Sequence, residues 1–313
     1  MKPRVLAGID IGTNTFRLLI GEVSNNSIKS IYSKRIITRL GEGVSINNIL
    51  RPEAIKRSID ALKEFREIID AHNTEATSAI GTSVLREANN RDYFLTEAMQ
   101  ETGIEIKIAS KSEEAAFSSS GMMIDLEVPG SALLIDIGGG STEFIMTSDG
   151  KQVFFESLNL GAVYLHDMYI KSDPPAAEEI FMMEKEISRH LDAIAVSINK
   201  HISVETSLIG TAGTITALSA TAQNLCEFQH ERIHNSNISI QDVIYMYSKM
   251  SKATIRERLG LYPVLEPSRA DIILPGTAIL LKIMMALGFD RITVSNYGLR
   301  EGIILNLYNR ISA

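Results

Sequence analysis

The stretch Gly8-Ile9-Asp10-Ile11-Gly12-Thr13-Asn14-Thr15 returns later in the chain as Ile135-Asp136-Ile137-Gly138-Gly139-Gly140-Ser141. Each copy follows an apolar run, Val5-Leu6-Ala7 or Ala132-Leu133-Leu134, and leads into another, Phe16-Arg17-Leu18-Leu19-Ile20 or Thr142-Glu143-Phe144-Ile145. Short β-branched and Leu-rich runs on either side of a glycine turn read as the two strands of a hairpin. A second pair, Ile80-Gly81-Thr82 and Ile209-Gly210-Thr211, keeps nearly the same offset along the sequence. Matches that stay in step over such a distance point to a duplicated domain, and hence to one cleft between two related halves.

The two loops have a shared chemistry. Glycines at a hairpin tip leave room for successive backbone N–H groups to converge on an anion, forming a phosphate nest. Thr13, Asn14, Thr15, Ser141 and Thr142 add hydroxyl and amide donors. An aspartate just before such a nest repels phosphate unless a divalent cation lies between them, so Asp10, Asp136 and Glu143 read as an Mg²⁺ (or Mn²⁺) site. Magnesium prefers hard oxygen ligands and is usually held by one or two carboxylates together with substrate phosphates. Taken singly, each loop also fits an ordinary glycine-rich turn.

With these residues in hand, the chain resembles the exopolyphosphatase and guanosine pentaphosphate phosphohydrolase (Ppx/GppA) family, a branch of the actin-like ATPase superfamily. The resemblance rests on both loops, with Gly138-Gly139-Gly140-Ser141-Thr142-Glu143 marking the phosphohydrolase branch. It rests also on Arg39-Leu40-Gly41-Glu42-Gly43-Val44, Gly81-Thr82-Ser83-Val84-Leu85-Arg86, Ser112-Glu113-Glu114-Ala115, Ser157-Leu158-Asn159-Leu160-Gly161, Arg269-Ala270-Asp271-Ile272-Ile273-Leu274-Pro275-Gly276 and Ser295-Asn296-Tyr297-Gly298-Leu299-Arg300-Glu301-Gly302. It implies an α/β fold of two duplicated actin-like, ribonuclease H-like domains, each with a mixed central sheet. It implies hydrolysis of a terminal phosphoanhydride, with Glu114 as the base that orients and deprotonates water. Arg17, Arg39 and Arg86 would supply positive charge, because guanidinium forks match phosphate oxygens. Gly12, Ser83 and the glycine triplet would line the phosphate path. Gly210-Thr211-Ala212-Gly213-Thr214 matches the loop that meets a nucleoside in the superfamily; here it serves the substrate or, as favoured, supports the cleft through Gly210, Gly213 and Thr214. Read without the resemblance, Glu113 and Glu114 are an exposed first helical turn whose acids suit the helix dipole.

Three functions follow from the resemblance: an exopolyphosphatase, a guanosine pentaphosphate 5′-phosphohydrolase, or a weakly active regulator that binds nucleotide or polyphosphate. The presence of Glu114, Asp136 and Glu143 counts against the last. Longer family members append a helical domain, so a preference for short polyphosphate is expected. A homodimer is common in the resembled family.

Periodicity orders the rest. Pro52 near a helix start leads Ile55, Ile59, Leu62, Phe65 and Ile69, an apolar stripe at three- and four-residue spacing. Strands are expected over 28–40, 77–80, 104–108 and 207–209, and helices from Ser112, after Pro174, from Ile215 and after Ser239, where Asp242 completes a capping box. Pro275-Gly276 predicts a kink or break in an apolar helix. The domains are set at 1–125 and 126–298, with a closing helix, 299–313, returning to the first.

With 313 residues, 45% apolar and 22% charged, the composition is that of a soluble globular protein with two cores. Cys226, the single cysteine, excludes an internal disulfide and any multi-cysteine metal site, and reads as a small buried apolar residue in a reducing cytosol. Met182, Met183, Met284 and Met285 read as core filler. Six histidines show no ligand spacing. No apolar run is long enough for a bilayer and Met1-Lys2-Pro3-Arg4 leads straight into a strand, so cytoplasmic residence is expected. A net charge of −7 argues against nucleic acid, and a polyanionic substrate then requires cations gathered locally.

Overall fold

The structure is a computed structural model that describes residues 2–13, 15–24, 27–42, 44, 48–128 and 130–312. Asn14 and Gly43 of the quoted motifs lie outside the described residues. The chain folds into two compact units, Met1–Asp125 with Tyr297–Ala313, and Leu126–Asn296.

In the first unit, β1 (Arg4–Ile11), β2 (Thr15–Ser24), β3 (Ser27–Ile37), β4 (Ala76–Gly81) and β5 (Ile106–Ile108) form one sheet in the order β3-β2-β1-β4-β5. The β1–β2 and β2–β3 pairs are antiparallel, and β4 and β5 continue in parallel. Period-two alternation sorts the side chains onto two faces. Ala7, Ile9, Ile11, Phe16, Leu18 and Ile20 pack with Ile55, Ile59, Leu62 and Phe65 of the helix Pro52–Ala71. Leu6, Leu19, Val23 and Ile28 pack on Ile304, Leu305, Leu307 and Tyr308 of the helix Leu299–Ser312. Truncating a fully buried phenylalanine such as Phe65 costs about 3–5 kcal/mol.

The closing helix also packs against the helix Lys111–Met122, and glycine permits the approach. A Cβ on Gly302 would lie 1.8 Å from the Phe117 carbonyl oxygen, and one on Gly121 would lie 1.9 Å from that of Gly298. This crossing sets the height of the helix that carries Glu114. Its start is a capping box on Ser110, whose hydroxyl accepts from Glu113 N–H at 3.2 Å while the Glu113 carboxylate accepts from Ser110 N–H at 2.8 Å. The helix expected from Ser112 thus begins one residue earlier, because Ser110 and Glu113 have the box spacing.

The second unit repeats the plan. β6 (Ser131–Ile137), β7 (Thr142–Ser148), β8 (Lys151–Leu158), β9 (Ser207–Thr211), β10 (Ser236–Ser239) and β11 (Arg291–Val294) lie in the order β10-β11-β9-β6-β7-β8. Aligning β6 with β1, the order 3-2-1-4-5 recurs with β10 added at the edge. This is the duplicated α/β, actin-like class, each half carrying a mixed sheet.

Several local expectations are corrected. The helix Ile273–Leu287 runs unbroken through Pro275, because Pro275 falls in its first turn, where an N–H has no acceptor within the helix. The helix placed from Ile215 starts at Ala212. Met183 and Met284 are fully buried, but their neighbours Met182 and Met285 are exposed. Cys226 is exposed. Among the described residues no helix is long and apolar enough to cross a membrane.

Candidate active site

In the first unit, Asp10 is the penultimate residue of β1 and stands directly across the ladder from Arg17 on β2. Arg17 Nη1 lies 3.3 Å from Asp10 Oδ2, with the aspartate buried and the arginine side chain half exposed. Burial raises the Asp10 pKa above the usual carboxylate value; the Arg17 charge opposes this, Glu114 adds to it and Arg300 opposes it. Asp10, Arg17, Glu114 and Arg300 therefore share one electrostatic environment. The turn between β1 and β2 closes with Gly12 N–H donating to the Thr15 carbonyl at 3.2 Å. Thr13 Oγ1 is 3.0 Å from Ser83 Oγ at the start of the helix Ser83–Glu87, and its carbonyl accepts from Gly41 N–H at 2.8 Å. Arg39, two residues before Gly41, is exposed with φ +51, a left-handed conformation uncommon for arginine.

Glu114 sits in the first turn of its helix, half-buried, and its Oε2 accepts from Arg86 Nη1 at 2.6 Å. Arg86 also donates to the Ala109 carbonyl at 2.9 Å. The guanidinium holds the carboxylate from one side, and the Ser110–Glu113 box keeps Glu113 out of competition. Hydrogen bonding to Ser110 backbone and hydroxyl holds the Glu113 pKa low.

In the second unit, Asp136 is the penultimate residue of β6 and stands across from Glu143 on β7, the same register as Asp10 and Arg17. Gly138 N–H donates to the Ser141 carbonyl at 2.9 Å, repeating the first turn. Glu143 Oε1 accepts from Ser141 Oγ at 2.7 Å and from Ser157 Oγ at 2.8 Å. Thr142 is turned away, donating to the Leu160 carbonyl at 2.5 Å. Gly139 and Gly140 are exposed. The carbonyls of Gly138 and Gly139 accept from Ala162, Val163 and Tyr164 N–H, so the helix Ala162–Tyr169 is seated on the loop. Gly161 is required there, since a Cβ would come within 2.2 Å of the Gly139 oxygen.

Gly210 lies inside β9, where a Cβ would meet Ile215 and Ile292 at 2.5 Å. Thr214 is buried against Gly276, and Gly213 faces the Arg269 guanidinium, 2.6 Å from the position of an added Cβ. Three residues outside the site read from sequence also contact its members within their own unit: Ser157 at Glu143 and Arg269 at Gly213 in the second, and Arg300 near Asp10 in the first. All three lie in the quoted motifs, which is the signal that marked them.

Comparison with known proteins decides the family. The model of the Ppx/GppA phosphatase family matches residues 19–311. The chain belongs to that family. Exopolyphosphatase 2 of Mycobacterium tuberculosis (strain CDC 1551 / Oshkosh) is 30% identical, covering 96% of this chain and 98% of that one. A guanosine-5′-triphosphate,3′-diphosphate pyrophosphatase of Aliivibrio fischeri (strain MJ11) is 28% identical over 99% of this chain, which spans 60% of it. The crystal structure of the Aquifex aeolicus Ppx/GppA family member superposes with a TM-score of 0.90 at 27% identity, over the whole of both chains. As a Ppx/GppA phosphatase the chain is a hydrolase of the phosphoanhydride type.

Proposed function

We propose that the chain is an exopolyphosphatase, releasing terminal phosphate from inorganic polyphosphate. The observation that carries this reading is Glu114, half-buried and paired with the Arg86 guanidinium at 2.6 Å. Water attacks the terminal phosphorus as Glu114 takes its proton, and the bridging P–O bond breaks to leave phosphate and a chain one unit shorter. Gly12, Thr13 and Thr15 of the first loop, and Gly138, Gly139, Gly140 and Ser141 of the second, would offer donors to phosphate oxygens. Arg17 would balance their charge.

Magnesium belongs to this proposal. Among the described residues no cluster of three His, Cys, Asp or Glu could hold a metal unaided, which suits an ion that takes one or two carboxylates and fills its sphere with water and substrate oxygen. Asp136 and Glu143, opposed across one ladder with two serines orienting Glu143, fit the ion best. Asp10 is a further carboxylate, engaged here by Arg17. When bound, Mg²⁺ would neutralise charge developing on the phosphoryl oxygens.

The relative covered over nearly its whole length is named an exopolyphosphatase, which favours that substrate. Guanosine pentaphosphate is the second reading, favoured by the likeness to the pyrophosphatase of A. fischeri. A cytoplasmic location is part of the proposal. Phosphate release by the purified protein with Mg²⁺, on polyphosphates of several lengths beside guanosine pentaphosphate, tests it. Glu114→Gln is expected to bind substrate and turn over about 10²–10⁴-fold more slowly. Unchanged turnover in that variant would remove Glu114 from the role of base.

A further inference from the structure

The ladder that sets Arg17 opposite Asp10 continues by one strand: on β3 the residue directly opposite Arg17 is Arg35. Directly opposed residues of antiparallel strands project to the same face of the sheet. Asp10, Arg17 and Arg35 therefore form a row of charge running from the middle of the sheet to its edge. Two guanidinium groups in directly opposed positions concentrate positive charge on that face, where a polyanion can meet both. The protein as a whole is acidic, with a net charge of −7, which makes a paired guanidinium at one place a local feature rather than a general surface property.

A third guanidinium reaches the same face. The helix Leu299–Ser312 packs on β1 and β2, and from its first turn Arg300 Nη1 donates to Ser33 Oγ at 2.7 Å. Ser33 precedes Arg35 by two residues and so shares its face. The remaining nitrogens of Arg300 are fixed by Glu301 Oε1 at 2.7 and 3.1 Å, and Glu301 itself is buried and accepts from Gly298 N–H at 2.9 Å. Acids face the row at Asp10, beside Arg17, and at Glu301, beside Arg300. Arg17 and Arg35 are both exposed, within reach of a ligand arriving from solvent.

We infer that Arg17, Arg35 and Arg300 form a second phosphate subsite, which takes an inner phosphate of a phosphoanhydride chain whose terminal phosphate is processed beside Asp10. This rests on the hydrolase reading above and extends it. With strands about 4.8 Å apart, Arg35 stands roughly 10 Å from Asp10, so it meets a phosphate several links from the cleaved bond. Planar guanidinium forks pair bidentately with such oxygens. The subsite makes binding depend on chain length, because a substrate too short to reach Arg35 gains nothing from it.

The test compares long-chain polyphosphate with tripolyphosphate, using Arg35→Gln and, as an equal loss of charge elsewhere, Arg291→Gln on β11. The expected result is a rise of about tenfold in KM for the long chain with Arg35→Gln, with kcat lowered less than about twofold. For tripolyphosphate the rise should stay under about threefold, and Arg35→Lys should recover part of the long-chain loss. If Arg35→Gln matches Arg291→Gln on both substrates while the wild type releases phosphate, the subsite is refuted and the hydrolase reading stands. If the wild type releases none, the hydrolase reading fails, and calorimetric titration of wild type and Arg35→Gln with long-chain polyphosphate decides the subsite by itself. An affinity about tenfold weaker in the variant supports it; equal affinities overturn it.

Discussion

The two glycine loops have one backbone and opposite chemistry. In both, the aspartate one residue before the end of the central strand faces an early residue of the next strand, and the turn closes with the same glycine N–H to carbonyl hydrogen bond. In the first loop that facing residue is Arg17, ion-paired to a buried Asp10. In the second it is Glu143, an acid beside an acid, steadied by Ser141 and Ser157. A carboxylate facing a guanidinium is satisfied internally and presents positive charge outward. Two opposed carboxylates repel, and a divalent cation relieves them. The repeat thus carries two copies of one turn that differ at the facing position, and under the proposed function that difference would direct one copy to the substrate's charge and the other to a metal.

Making the loops alike should have the largest effect. Glu143→Arg recreates the first loop's pairing in the second, and Mg²⁺-dependent phosphate release is expected to fall at least about 10²-fold, measured at saturating substrate. The reverse asymmetry is probed by Arg17→Gln, which should lower kcat/KM by roughly 10–100-fold, the contribution of a charged hydrogen-bonding group, while leaving the Mg²⁺ requirement in place. Ser157→Ala removes one of the two hydroxyls that orient Glu143, and about a tenfold rise in the Mg²⁺ concentration for half-maximal release is expected.

The smallest effect concerns stability. Burial raises the folded pKa of Asp10 above that of an ordinary aspartate. A carboxyl with a raised folded pKa binds its proton more tightly when folded, so its ionisation costs stability once the pH exceeds the ordinary, unfolded value, and the full cost is present above the folded one. The cost disappears as the pH falls back to the ordinary aspartate range. Asp10→Asn is therefore expected to raise Tm at neutral pH, by roughly 2–4 °C for each kcal/mol relieved, with the gain lost in acid. Thermal unfolding at both pH values checks it.

The asymmetry was legible in the sequence as residue types, because Asp10 and Asp136, and Arg17 and Glu143, stand at matching places in the repeat. The α/β class and the Ppx/GppA family were equally legible, and the stripe of Ile55, Ile59, Leu62, Phe65 and Ile69 lies buried on the helix Pro52–Ala71. The capping box of Ser239 and Asp242 is also formed. What escaped depends on contacts distant in sequence. The helix Ala162–Tyr169 was missed because its first N–H groups are satisfied by carbonyls of the Gly138–Gly139 turn rather than by a local cap. Ser157 joins Glu143 only through the β7–β8 register, and Arg300 joins Ser33 only because the helix Leu299–Ser312 packs against β1 and β2. Pro275 misled because a proline in a first turn and one in a helix interior look alike until the helix start is known. The exposed Cys226, Met182 and Met285 show that apolar type sets average burial, not the side of a helix.

The division of labour between the loops is tested most directly by Mg²⁺ titration of phosphate release, run in parallel on wild type, Arg17→Gln and Glu143→Gln. The expected result is that Glu143→Gln shifts half-maximal Mg²⁺ upward by about 10–100-fold, whereas Arg17→Gln raises the KM for polyphosphate and leaves the Mg²⁺ midpoint where it is in the wild type. Equal Mg²⁺ shifts in the two variants, or a shift in Arg17→Gln alone, would contradict it.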